Sequence, residues 1–132
     1  MSLKKLAVFG FSVCMGLSLL ADEMSDPMKK IGGAFGGTRK ASEAKDYQAI
    51  ADHAAVIEKE FSATLGGWKK RNYADAVQWT EDGIAGAKAL KAAADAKDEA
   101  GIRTASSKIG ATCKSCHTTH REKLDDGTYK IK

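Results

Sequence analysis

Residues 46–65 read Asp46-Tyr-Gln-Ala-Ile50-Ala-Asp-His-Ala54-Ala-Val-Ile57-Glu-Lys-Glu-Phe61-Ser-Ala-Thr-Leu65. Ile50, Ala54, Ile57, Phe61 and Leu65 recur every three or four places, which gathers them into one stripe of a helix. Asp46 stands where a side-chain oxygen can cap the first turn. Gly66-Gly67 are expected to end the helix, with Lys69-Lys70-Arg71-Asn72 as a basic loop beyond it.

The same spacing extends in both directions. Downstream, a third helix is expected from near Tyr73 or Asp75, with Val77, Ile84, Ala87, Leu90 and Ala94 inward and Trp79 at its edge. After a link at Asp95–Asp98, a fourth runs from Glu99 to about Leu124 with the stripe Ile102, Ala105, Ile109, Cys113, Cys116 and His120, and the tail beyond Gly127 is expected to fray. Upstream, Ser25-Asp26-Pro27 reads as a helix start, Asp26 the cap and Pro27 the first helical residue. Met28, Ile31 and Phe35 then share a face. Gly32, Gly33, Gly36 and Gly37 each cost about 1 kcal/mol relative to alanine, so this helix needs a compensating close approach by another helix or a flat ligand; the alternative is a loop from Gly32.

No sustained two-residue alternation occurs after Pro27, so the chain reads as all-α. Connections this short favour an antiparallel up-down-up-down four-helix bundle. Its inward positions hold many alanines and glycines, so the apolar core is thin, and a large apolar cofactor would fill it.

At the N-terminus, Met1-Ser-Leu-Lys4-Lys5 followed by the apolar run Leu6–Leu20 has the layout of a secretory signal, with small Ala21 before the cut. Residues 1–21 are read as a cleaved signal peptide and 22–132 as the mature domain, exported to the periplasm. The run is short for a membrane span, and Cys14 lacks the flanking residues of a lipoprotein cysteine. Loss of Lys4 and Lys5 lowers the net charge from +4 to +2. The 21 basic and 17 acidic residues are interleaved rather than clustered, which speaks against nucleic-acid binding. No membrane association is expected once the signal is removed.

Cys113-Lys114-Ser115-Cys116-His117 is the C-x-x-C-H pattern of covalent haem c attachment. Two thiols one helical turn apart can bond the two vinyl groups on one porphyrin edge, and His117 follows as an axial iron ligand. Zinc would need four ligands disposed tetrahedrally, which successive helical turns do not readily supply. A thioredoxin-like pair would want its first cysteine at a helix N-terminus, and a plain disulfide explains no histidine.

With this motif near the end of four helices, residues 25–124 resemble the class II c-type cytochromes, the family of cytochrome c prime and its low-spin relatives. The segment Met28-x-x-Ile31-x-x-x-Phe35-Gly36 is similar to the family's distal segment, and Arg121 matches its basic residue one turn after the histidine. The resemblance implies haem binding by Cys113, Cys116, His117, Met28 and Arg121, with iron between His117 and Met28. Methionine there implies a six-coordinate carrier of single electrons, serving redox partner proteins and not an enzyme; a non-ligating Met28 implies a five-coordinate protein that binds nitric oxide or carbon monoxide. Lys108, Lys114, Arg121 and Lys123 are candidates for a docking face, or simply a solvated one. Family relatives often form a homodimer through the first two helices. Met24 is expected to lie outside the helix, and neither His53 nor His120 to reach the open iron face.

Overall fold

The computed structural model describes residues 18–132, with side chains from Met24 onward. The expected signal lies largely outside the described residues, as does Cys14. Four helices follow in order: α1 (Ser18–Glu43), α2 (Tyr47–Lys70), α3 (Ala74–Asp95) and α4 (Glu99–His120). Two short strands, β1 (Arg121–Lys123) and β2 (Tyr129–Ile131), close the chain as an antiparallel hairpin in which Glu122 faces Lys130.

Each link is three residues long, and each central residue takes a left-handed backbone: Lys45 at φ 54°, Asn72 at 58° and Lys97 at 54°. In each link the next residue's N–H reaches back to the ending helix, as from Asp46 to Ala41 O at 2.9 Å and from Asp98 to Ala93 O at 2.8 Å. Asp46 and Asp98 then cap the following helices by accepting from Ala49 N and Gly101 N, each at 3.0 Å. Such tight reversals make successive helices antiparallel neighbours. Thus α1 lies along α2, α2 along α3 and α3 along α4.

The fourth side of the bundle is different. Helices α1 and α4 scarcely approach one another, and an open groove of about 880 Å³ runs between them, floored by Phe35, Ile50 and Ile102. At the far end, Glu99 bridges the gap by accepting from Tyr47 Oη at 3.0 Å and pairing with Lys45 Nζ at 2.9 Å. The main core draws on Ile31, Ile50, Ile57, Phe61, Leu90, Ile102 and Ile109, filled in by alanines. A second cluster, Met24, Trp68 and Ala76, lies at the other end, with Cys116 and Ile131 packed against it.

Several boundaries differ from the sequence reading. Helix α1 does not start at Asp26; it runs through Pro27, because Met24, one turn earlier and only 4% exposed, is buried in the second cluster and holds that turn on the bundle. Helix α2 passes Gly66-Gly67 and ends at Lys70, so Lys69 and Lys70 are helical. Burial of Thr64 and Trp68 outweighs the propensity cost of two glycines. Leu65, Val77 and Ile84 are only half-buried. Helix α4 stops at His120 rather than Leu124, and the expected frayed tail is the ordered hairpin, anchored by Lys132 N donating to His120 O at 3.0 Å.

The glycines of α1 do not serve a close helix approach as a group. A side chain at Gly32, Gly33 or Gly36 would meet nothing, and only Gly37 is pressed, by the His53 ring. In contrast, a Cβ at Gly83 of α3 would sit 2.8 Å from the Phe61 ring. Opposite signs follow for one chemical change. Gly33→Ala is expected to stabilise the fold by about 1 kcal/mol through helix propensity, and Gly83→Ala to destabilise it by about 1–3 kcal/mol through overpacking, as read by denaturant unfolding.

Candidate functional site

The last two turns of α4 carry Cys113, Cys116 and His117, all half-buried. They share one cavity of about 220 Å³ with Met28, Ile31, Gly32 and Phe35 of α1, Phe61 of α2, Trp79 and Thr80 of α3, and Thr112. Among the described lining residues none is a lysine, arginine, aspartate or glutamate. The cavity and the long groove share Gly32 and Phe35, so the site opens into the gap between α1 and α4.

Both cysteines are free thiols. Burial pushes Cys113 up, and burial with the nearby Asp75 charge pushes Cys116 up to about 11. These are protonated, poorly nucleophilic thiols, the reverse of a redox-active pair. Among the described residues no group of three or more histidine, cysteine or acidic side chains is placed to hold a metal ion. Burial, helped by the Arg121 charge, lowers the His117 pKa and favours the neutral imidazole, the form that ligates a metal.

The donor set fits a haem c. Two thiols on one helical face, an imidazole beside them and an uncharged apolar lining match a porphyrin's vinyl edge, iron and flat surface. The cavity is smaller than the ~300–1,000 Å³ of ordinary ligand pockets, so such a group would extend into the adjoining groove. Cys113, Cys116 and His117 would hold it.

Of the candidate ligands for the open side, Met28 lines the cavity and Met24 does not. Met24 lies inside α1, contrary to expectation, and is spent in packing beside Gly67 and the second cluster. Arg121 is not one helical turn past His117, because α4 has ended; it begins β1 and lies over the Tyr129 ring at 4.1 Å.

Sequence reasoning missed the surroundings of His120. Its ring stacks on Tyr73 with centroids 4.5 Å apart, lies 5.8 Å from Trp68 and 6.1 Å from Trp79, and pairs through Nε2 with Asp75 at 2.9 Å. The signal available was an aromatic cluster at Trp68, Tyr73 and Trp79 beside a histidine at the end of the last helix.

A family model described as Cytochrome C' matches residues 20–121. Comparison with curated proteins and with solved structures gives no match.

Two measurements follow. In the haem-free chain, Cys116 is expected to be alkylated at pH 8 on the order of 10²-fold more slowly than an open-chain cysteine, because so little of it is thiolate. The His120 contact depresses the Asp75 pKa below its usual 3.8, so the stabilisation is present above that value and is lost as pH falls through the depressed one. An acid titration of tryptophan fluorescence should show this step, and Asp75→Asn should remove it.

Proposed function

Because the chain belongs to the cytochrome C' family, we propose that it is a periplasmic monohaem cytochrome that carries single electrons, its iron held between His117 and Met28. The carrying observation is the position of Met28, on the cavity wall supplied by α1 while His117 lies on the wall supplied by α4. When bound, the haem supplies a one-electron iron couple, and a thioether ligand raises its potential. This chain's own residues do the rest. Cys113 and Cys116 tether the ring, and neutral His117 offers a nitrogen lone pair. Ile31, Phe35 and Phe61 keep the ring in apolar surroundings that exclude water.

Arg121 is assigned a propionate or an electrostatic role beside His117, on whose ionisation its charge acts. Lys108, Lys114, Arg121 and Lys123 are exposed, and none is paired with an acid among the described residues, as a docking face for acidic redox partner proteins requires. A homodimer through the first two helices belongs to the same reading. Export through residues 1–21 accords with haem attachment outside the cytoplasm; no described helix is long and apolar enough to cross a membrane.

A second reading keeps the haem and drops the sixth ligand. It is favoured by the family description and by a distal wall of Ile31, Phe35 and Phe61 suited to a small diatomic gas. Optical spectra separate the two. The electron carrier gives low-spin spectra in both oxidation states, a sulfur-to-iron charge-transfer band abolished by Met28→Leu, and slow carbon monoxide binding that this substitution accelerates. High-spin spectra with prompt gas binding in the unmodified protein would assign it to the second reading.

A further inference from the structure

The matched family segment ends at Arg121, the residue where α4 gives way to the hairpin. The hairpin lies beyond the matched segment, and it meets the site at Cys116, which lines the cavity and packs on the same cluster as Ile131. Ile131 packs against the cluster formed by Met24 of α1, Trp68 of α2 and Ala76 of α3, and Cys116 of α4 touches the same cluster. One small apolar knot thus joins all four helices to β2.

This knot matters because of what it holds. Met24 lies one turn before Met28, and Pro27 between them has no N–H to donate, so the first turns of α1 are weakly bound to the rest of their helix. Helix α1 has almost no contact with α4 to steady it from the other side. This turn is held on the bundle by burial of Met24 at Trp68, and one turn on by Met28 against the main core; Ile131 helps cover the first of these contacts. The hairpin is fixed from beneath by His120, whose ring is pinned by Asp75 and Tyr73 and whose carbonyl accepts from Lys132 N.

We propose that the C-terminal hairpin is a clamp that keeps the Met28 wall closed over the haem site, with Ile131 and His120 as positioning residues. The assignment of the cavity to haem is a premise taken from the proposed function. The clamp acts through α1, and no hairpin residue lines the cavity that Met28 and His117 share. Loosening it raises the fraction of molecules in which the Met28 turn is open, and any ligand that must enter from that side binds faster in proportion.

The test uses the haem-loaded full chain, Ile131→Asp, the conservative Ile131→Val, and a chain ending at Leu124 in case the charged variant folds poorly. Amide exchange across residues 24–28 and carbon monoxide association are measured on each. Ile131→Asp and the truncation are expected to speed both by ~5–10-fold, with Ile131→Val close to the parent. The carbon monoxide rate responds whether Met28 ligates iron or only lines the wall. Unchanged exchange at 24–28, or unchanged carbon monoxide association, in a chain whose hairpin is gone overturns the clamp. Absence of a haem band in the parent would overturn the haem reading instead, and the exchange measurement would still decide whether the hairpin holds α1.

Discussion

The rest of the structure depends on how little contact α1 makes with α4. Three tight links force each helix against the next, and the four-sided arrangement could close only if the first helix met the last. Their facing surfaces set Gly32 and Gly36 opposite Ser106 and Ser107, with Phe35 and Ile102 beside them, so apolar area in the gap is left uncovered. The bundle is instead bridged at its two ends, by Glu99 with Lys45 and Tyr47 and by the Met24–Trp68–Ala76 cluster under the hairpin. Between these bridges lies the one stretch where a flat apolar group gains most by entering. Cys113 and Cys116 line the cavity that adjoins it.

The chemistry of the site follows from the same geometry. A cavity with no formal charge in its lining raises the cost of any ionised group within it, so the thiols stay protonated and the imidazole stays neutral. A redox-active dithiol needs the opposite surroundings, positive charge or a helix N-terminus beside the sulfur. Position on the last turns of α4 denies Cys113 and Cys116 the helix N-terminus, and the charge that acts on Cys116 is the Asp75 carboxylate, which raises its pKa. Two such thiols suit the tethering role proposed for them.

Much of this was legible in the sequence because the deciding signals are local. The stripe Ile50, Ala54, Ile57 and Phe61 is buried as its spacing implies, Asp46 caps α2, and the C-x-x-C-H spacing puts both thiols and the imidazole on one cavity. What was not legible depended on contacts distant in sequence. Pro27 reads as a helix start until Met24 is seen to have Trp68 to pack against. Gly66-Gly67 reads as a stop until Trp68 proves to be buried. The residues after Gly127 read as a frayed end because the alternation at Tyr129, Lys130 and Ile131 is too short to announce a strand, and its pairing partner is the equally short Arg121–Lys123.

The same long-range contacts bear on the choice between the two methionines. They are one turn apart on α1, and sequence alone ranks them only by guessing where the helix begins. Packing ranks them by occupation. Met24 is committed, 4% exposed in a cluster that would lose its centre if the sulfur were withdrawn, whereas Met28 is half-buried, resting against the edge of the main core and lining the cavity. Moving Met24 to the iron would open the cluster and expose Trp68, a loss of several kcal/mol by the usual cost of emptying a core position (~2–5 kcal/mol for methionine). Met28 needs no such rearrangement to face the site, and the turn that presents it is steadied by the very residue it competes with.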